Sequence, residues 1–268
     1  MNLLSLFKRV KFRLYSYKKK VKTITVDRLL ANDFYFKYEG YCNCCDQKVT
    51  FSSRNSWLRD YFFCDDCKSI PRERALMRVI EEEYPNWRSL KIHESSPGNR
   101  GTSLKLKKYA ADYSCSQYFP NHKNGSQVNN WMNQNLEDLT FEDNSFDLII
   151  TQDVLEHVFN PAKAFQEIGR VLKRGGAHIF TVPLVNKHQK TERWATIDEN
   201  GELNFLGEPE WHGNVVDPNG SPVTMHWGFD IIEFIKKYSN LNTKIFHIDD
   251  LSNGIRAELI EVLVTRKS

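Results

Sequence analysis

Hydrophobic and polar positions change period several times along this chain, and the sharpest change lies between residues 141 and 183. Phe146 to Thr151 is a short apolar run with Asp147 near its start and a polar exit. That pattern suits a strand buried on both faces of a parallel sheet. Asn160-Pro161 then supplies an N-cap and a proline at the first helical position. Ala164, Phe165, Ile168, Val171 and Leu172 recur at helical spacing and make one apolar face. Lys173 and Arg174 are expected in the last turn, and Gly175-Gly176 is expected to stop the helix. His178 to Val182 reads as the next buried strand. Strand, helix and strand in such close succession predict a right-handed crossover unit.

The same reading extends outward in both directions. Pro71 is expected to start a helix running to about Glu83, with Ala75, Leu76, Val79 and Ile80 on its inner side. Leu90 to Glu94 predicts a first strand, and Tyr113 to Ser116 a second. Between them a helix passes through Leu104, Leu106 and Tyr109. Asp230 to Tyr238 predicts an amphipathic helix. Thr243 to His247 and Glu258 to Thr265 predict an antiparallel pair of final strands. Residues 184–228 have no such regularity. They are polar and rich in Trp, His and Arg, as suits an insert or lid.

The run Ser-Phe-Asp-Leu-Ile-Ile-Thr-Gln-Asp-Val-Leu-Glu-His-Val, followed by Arg-Val-Leu-Lys-Arg-Gly-Gly, resembles the central block of class I S-adenosylmethionine-dependent methyltransferases of the type 11-like group. The resemblance implies an α/β fold, with a Rossmann-like seven-stranded sheet and helices on both faces. It also implies where the cofactor would lie. The turn after the first strand passes beneath its methionine part, and here that turn offers Glu94, Ser95, Ser96 and Gly98. The family's pattern is richer in glycine. Past the second strand the family places a ribose-binding acid, where this chain has Ser116 and Gln117. Asn135 and Leu136 match the pair that meets the adenine. Gln152 and Asp153 follow the central strand, where open α/β sheets gather ligands. Asp153 is therefore expected to face the cofactor's ammonium or the reacting centre. If the acceptor is a hydroxyl, a base is needed, and His157, His212 and His226 are the candidates.

A second motif stands apart from the sheet. Cys42 and Cys45 form one C-x2-C and Cys64 and Cys67 another, separated by eighteen residues. Two such hooks present four thiolates tetrahedrally and predict a structural Zn²⁺ with no open position. Cys44 is the spare thiol in this register. The expected organisation is a basic amphipathic segment over 1–35, a zinc ribbon over 36–70 and the methyltransferase domain over 71–268. Ribbons of this kind precede the catalytic domain in several methyltransferases that the chain resembles.

Charge narrows the partners. The formal net charge is +3 over 268 residues. Eight of the cations fall within residues 1–22, which hold no acid, so the rest of the chain stands at −5. A mildly acidic body argues against a broad nucleic-acid face. It favours a small-molecule, sugar or glycan acceptor, with residues 1–22 as a candidate peripheral contact with an anionic membrane. No run has the ~20 apolar residues that span a bilayer, and basic residues interrupt any signal-peptide core. A cytoplasmic protein is expected, at most peripheral to the inner membrane surface. Two rival readings remain. One is an RNA methyltransferase gripping RNA through the ribbon's Arg54, Trp57, Arg59 and Tyr61. The other is a non-catalytic protein with a degenerate cofactor site.

Overall fold

The computed structural model describes residues 34–214 and 216–268. The basic segment at residues 1–22, and any membrane contact it makes, lies outside them. Strands β1 (Phe36–Cys42), β2 (Gln47–Ser53) and β3 (Phe63–Cys64) form a three-stranded antiparallel sheet, with a single helical turn α1 (Leu58–Tyr61) before β3. Helix α2 (Pro71–Glu83) follows, with Pro71 at its start and Glu73 reaching back to the amide of Ile70. Next come β4 (Lys91–Ser95), α3 (Gly101–Tyr109) and β5 (Asp112–Gln117). A short hairpin, β6 (Gln127–Val128) and β7 (Trp131–Asn133), leads to the central strand β8 (Phe146–Gln152). Helix α4 (Pro161–Val171) and β9 (Leu172–Thr181) complete the crossover.

The large sheet has eight strands rather than the expected seven, because the β6–β7 hairpin adds an edge. Those strands are too short to show a period in the sequence. Residues 192–226 fold as three two-stranded ribbons. They pair β10 (Glu192–Arg193) with β15 (Met225–His226), β11 (Ala195–Ile197) with β12 (Leu203–Phe205), and β13 (Trp211–His212) with β14 (Ser221–Pro222). Helix α5 (Ile231–Ser239), β16 (Asn242–Phe246) and β17 (Val262–Arg266) end the fold. The sheet order is β16-β17-β9-β8-β4-β5-β7-β6. Strands β9, β8, β4, β5 and β7 run parallel, and β17, β16 and β6 pair antiparallel. The chain steps outward from β4 to β7, then returns to β8, so strand order reverses between β4 and β8. Ligands of open sheets bind beyond such a reversal.

Helix α4 is built as its sequence indicates: Asn160 caps it by accepting from the Lys163 amide at 3.2 Å. Its end differs. It stops at Val171, and Lys173 lies in β9, where its ammonium pairs with Asp147 at 3.0 Å. Gly176 sits in that strand against the carbonyl of Asp147, so the glycine pair serves a close strand approach, not a helix stop.

Two apolar clusters flank the sheet. One contains Phe165, Ile168, Phe180, Trp227 and Ile231 beneath α4 and α5. The other contains Leu76, Ile80, Ile92, Leu106 and Ile150 together with Phe51, Phe62, Cys42 and Cys64. The three-stranded sheet thus shares a core with the large one. Gly40 shows how closely they meet: a Cβ there would lie 2.1 Å from the Ser252 carbonyl oxygen.

His93 and His178 are buried within the large sheet. His93 bonds Ser114 and Ser116 at 2.9 and 3.0 Å, and His178 bonds Thr151 at 3.0 Å and stacks on Phe180. Burial pushes both imidazoles down to about 3. Each is neutral when folded, whereas the unfolded chain takes up protons below about pH 6.5. Stability is therefore lost as pH falls from 6.5 toward 3, by about 1.4 kcal/mol per pH unit per histidine. Urea unfolding of His178→Phe is expected to fall less steeply between pH 7 and 5 than wild type. An unchanged slope would mean that His178 does not drive the acid loss.

Candidate active site

The four thiols of the two C-x2-C hooks come together. The Sγ atoms of Cys42 and Cys67 are 3.7 Å apart, those of Cys45 and Cys64 are 3.9 Å apart, and all four lie within 4.8 Å of one another. Cys44 is not one of the four, and its sulfur lies 3.9 Å from Thr102. Hydrogen bonds from Cys44, Cys64 and Cys67 hold the Cys42 thiol far below its ordinary range. Hydrogen bonds to Cys42 and Cys67 push Cys64 up, while burial pushes up Cys45. One thiolate is favoured and the next are opposed, so a cation among them would relieve the crowding.

The arginines after the cysteines are structural. Arg74 is fully buried over the rings of Phe51 and Phe62. It donates to the carbonyls of Phe62, Ser69 and Gly254. Lys105 of α3 is equally buried and donates to the Asn43 carbonyl, Asp46 and Glu81 at 2.7–2.8 Å. Arg59 of α1 donates to Asp153 at 2.6 Å and to the Leu259 carbonyl at 2.9 Å. Arg72 lies 2.9 Å from the same Asp153 oxygen.

Asp153, expected to face the cofactor's ammonium or the reacting centre, is already in use within the protein. Its second oxygen accepts from Thr181 at 2.9 Å, so both oxygens are engaged by the protein. Burial alone would raise its carboxyl, but Arg59 and then Arg72 hold it well below the usual carboxylate range. Asp153 thus anchors the cysteine-bearing sheet to the carboxyl edge of β8.

At the reversal between β4 and β8, Glu94 is fully buried. One oxygen accepts from Ser103 at 2.6 Å and Gln152 at 2.8 Å, and the other from Tyr113 at 2.7 Å. Burial pushes this carboxyl up. Ser95 is buried at the strand end. Ser96 adopts φ +55°, the left-handed conformation that a glycine would hold without strain. Gly98 donates its amide to Ser103 and has open space beside it. Ser116 is hydrogen-bonded to His93 at 3.0 Å, which occupies one of its hydroxyl's bonding positions. Gln117 at the end of β5 differs: its buried side-chain nitrogen has no partner. A donor left bare in this way costs ~1–3 kcal/mol, and a ligand hydroxyl at the β5 edge would satisfy it. The Asn135 side-chain oxygen closes a turn on the Glu137 amide at 2.9 Å, beside the buried Leu136. That use competes with adenine recognition by the same oxygen.

The three histidines proposed as bases do meet, although they lie 14 to 69 residues apart in the sequence. His157 and His212 stand ring to ring at 5.0 Å, nearly perpendicular. His226 stacks on Trp194 at 4.0 Å. Glu210 bridges two of them, 3.2 Å from His212 and 2.9 Å from His226. Burial would raise that carboxyl, but His226 and His212 together keep it low. Behind them lies Glu156, 1% exposed, to which no other residue donates a hydrogen bond. Burial, with the charge of Asp153, pushes its carboxyl up to about 8. Glu156 and Glu210 were not among the expected site residues. Glu156 precedes His157 directly, and that adjacency was the available signal.

Residues 98–180 match the family model described as a methyltransferase domain. The match runs from the turn after β4 to near the end of β9. A glycine/sarcosine/dimethylglycine N-methyltransferase of Actinopolyspora halophila is 33% identical over 76 residues, 28% of this chain and 14% of that protein. A ubiquinone biosynthesis O-methyltransferase of Marinobacter nauticus is 29% identical over 105 residues, 38% of this chain and 43% of that protein. The chain thus spans less than half the length of either relative. An S-adenosylmethionine-dependent methyltransferase structure from Mesorhizobium loti aligns at a TM-score of 0.45 and 15% identity, over 71% of this chain and 96% of that one.

Proposed function

We propose that the chain is an S-adenosylmethionine-dependent methyltransferase acting on a small-molecule, sugar or glycan acceptor. The observation that carries this reading is the bare nitrogen of Gln117 at the carboxyl edge of a sheet whose central segment matches the methyltransferase domain. Gln117 would hold a ribose hydroxyl. The backbone of Ser95, Ser96 and Gly98 would line the methionine part, and Leu136 would lie by the adenine. The bound cofactor supplies a methyl group on a sulfonium, which is already a good leaving group. The chain's own work is then to align the acceptor and to exclude water. The ribbons of residues 192–226 bring Trp194, His212 and His226 to that edge, where they would enclose a small acceptor. Both relatives named above have small molecules in their names.

The four thiols would hold a structural Zn²⁺ that closes the small sheet, with all four positions filled. RNA binding through this sheet is disfavoured, since Arg59 is buried against Asp153 and unavailable to a phosphate.

Calorimetry with S-adenosylmethionine tests the cofactor reading. Wild type is expected to bind, and Gln117→Leu to bind about 5- to 10-fold more weakly, the worth of roughly one hydrogen bond. No heat at millimolar cofactor would overturn the enzyme reading. Equal affinity in the variant would overturn the role of Gln117.

A further inference from the structure

We infer that Glu156, His157 and His212 form a divalent-cation site, separate from the four cysteines, with a coordination position open toward the acceptor side. Oxygen Oε1 of Glu156 lies 3.7 Å from His157 Nε2 and 3.8 Å from His212 Nδ1. All three ligand atoms fall within 4.8 Å of one another. A tetrahedral zinc with bonds near 2.0–2.1 Å sets its ligand atoms roughly 3.3 Å apart, so the two pairs with the carboxyl must close by about half an ångström and the two imidazole nitrogens, within 4.8 Å, by up to about 1.5 Å.

The hydrogen bonding fixes which nitrogens face the centre. Nδ1 of His157 is 2.8 Å from the Pro222 carbonyl oxygen, which can only accept, so Nδ1 carries the proton and Nε2 keeps its lone pair. Nε2 of His212 is 3.2 Å from Glu210 and donates to that carboxylate, leaving the Nδ1 lone pair inward. Two imidazole lone pairs and a buried carboxyl group, to which no other residue donates, then converge on one point. A cation would satisfy all three at once. Each histidine is also held from behind by an oxygen acceptor, the arrangement that orients metal-bound imidazoles.

Two histidines and one carboxylate suit zinc, cobalt or another first-row divalent ion. Three protein ligands leave room for a water or an acceptor oxygen. Glu156 and His157 lie four and five residues past the end of β8, beside the reversal in strand order. Its place on the acceptor side rests on the methyltransferase reading; the binding of a cation does not.

The test is a titration of the full chain with cobalt(II), after zinc loading and desalting. Wild type is expected to hold one zinc and to take up one cobalt. That cobalt should show visible d–d bands without thiolate charge transfer. His212→Ala and Glu156→Gln are expected to abolish the cobalt signal while keeping the zinc. Glu210→Gln, which touches His212 only at Nε2, away from the proposed centre, is expected to weaken cobalt binding about 10- to 100-fold. The exposed His247→Ala should change nothing. Absence of a cobalt signal in wild type at millimolar metal would overturn the site. So would unchanged affinity in either ligand variant, or a cobalt spectrum dominated by thiolate. Cofactor calorimetry is independent of all these signals, so the two readings fail separately.

Discussion

Cys64→Ser is expected to unfold the entire chain, not one module of it. Cys64 is fully buried, and its cluster also contains Leu76, Ile92, Leu106 and Ile150 from α2, α3 and the large sheet. Arg74 and Lys105 tie the same region to the Gly254 carbonyl and to α3. A structural zinc contributes ~10–16 kcal/mol in small zinc domains, comparable to the ~5–15 kcal/mol that holds a whole protein folded. Losing one ligand therefore removes most of the margin. Calorimetric unfolding should show a single transition displaced far downward, together with loss of the bound zinc. A variant that lost its zinc yet kept the wild-type transition would contradict the shared core.

The second large effect concerns Asp153→Asn. The substitution leaves two guanidinium groups, with side chains 9% and 18% exposed, facing a neutral amide. Breaking one side of a buried charge network costs about 3–5 kcal/mol. For a chain of this size that lowers the unfolding temperature by roughly 10 °C. The sign of the pH dependence follows from the depressed carboxyl. Its stabilisation is complete above the ordinary aspartate value near 3.9 and is lost as pH falls below it. The variant should therefore lose less stability than wild type when acidified below about pH 4. Equal stability of the two proteins at pH 7 would show that the Arg59–Asp153–Arg72 network is not what joins the cysteine-bearing sheet to β8.

What the residues disclosed in advance follows from range. The β8–α4–β9 crossover was legible because a buried strand and an amphipathic helix each write their period within a dozen positions. The cysteine hooks were legible because metal geometry demands a fixed local spacing. Lys173 was misplaced because a cation beside two glycines looks the same after a helix as at the start of a bulged strand. The partners of Asp153 were not legible. Arg59 lies 94 residues away, and nothing local to either residue marks the pair. The three histidines were singled out by residue type, but their grouping depends on short ribbons in residues 192–226 that have no period to read. Ser116 looked free because its strand was clear, while the His93 that occupies it comes from the neighbouring strand.

The bonds from Arg59 to Leu259 and from Arg74 to Gly254 join positions 200 and 180 residues apart. On a ribosome adding ~5–20 residues per second, the cysteine hooks emerge roughly 10–40 s before those carbonyls exist. During that interval Arg59 and Arg74 lack the Leu259 and Gly254 carbonyls that complete their bonding. A metal taken up early would keep the nascent sheet compact until its last partners arrive, so supply of the ion during translation, more than its affinity for the finished protein, would govern yield.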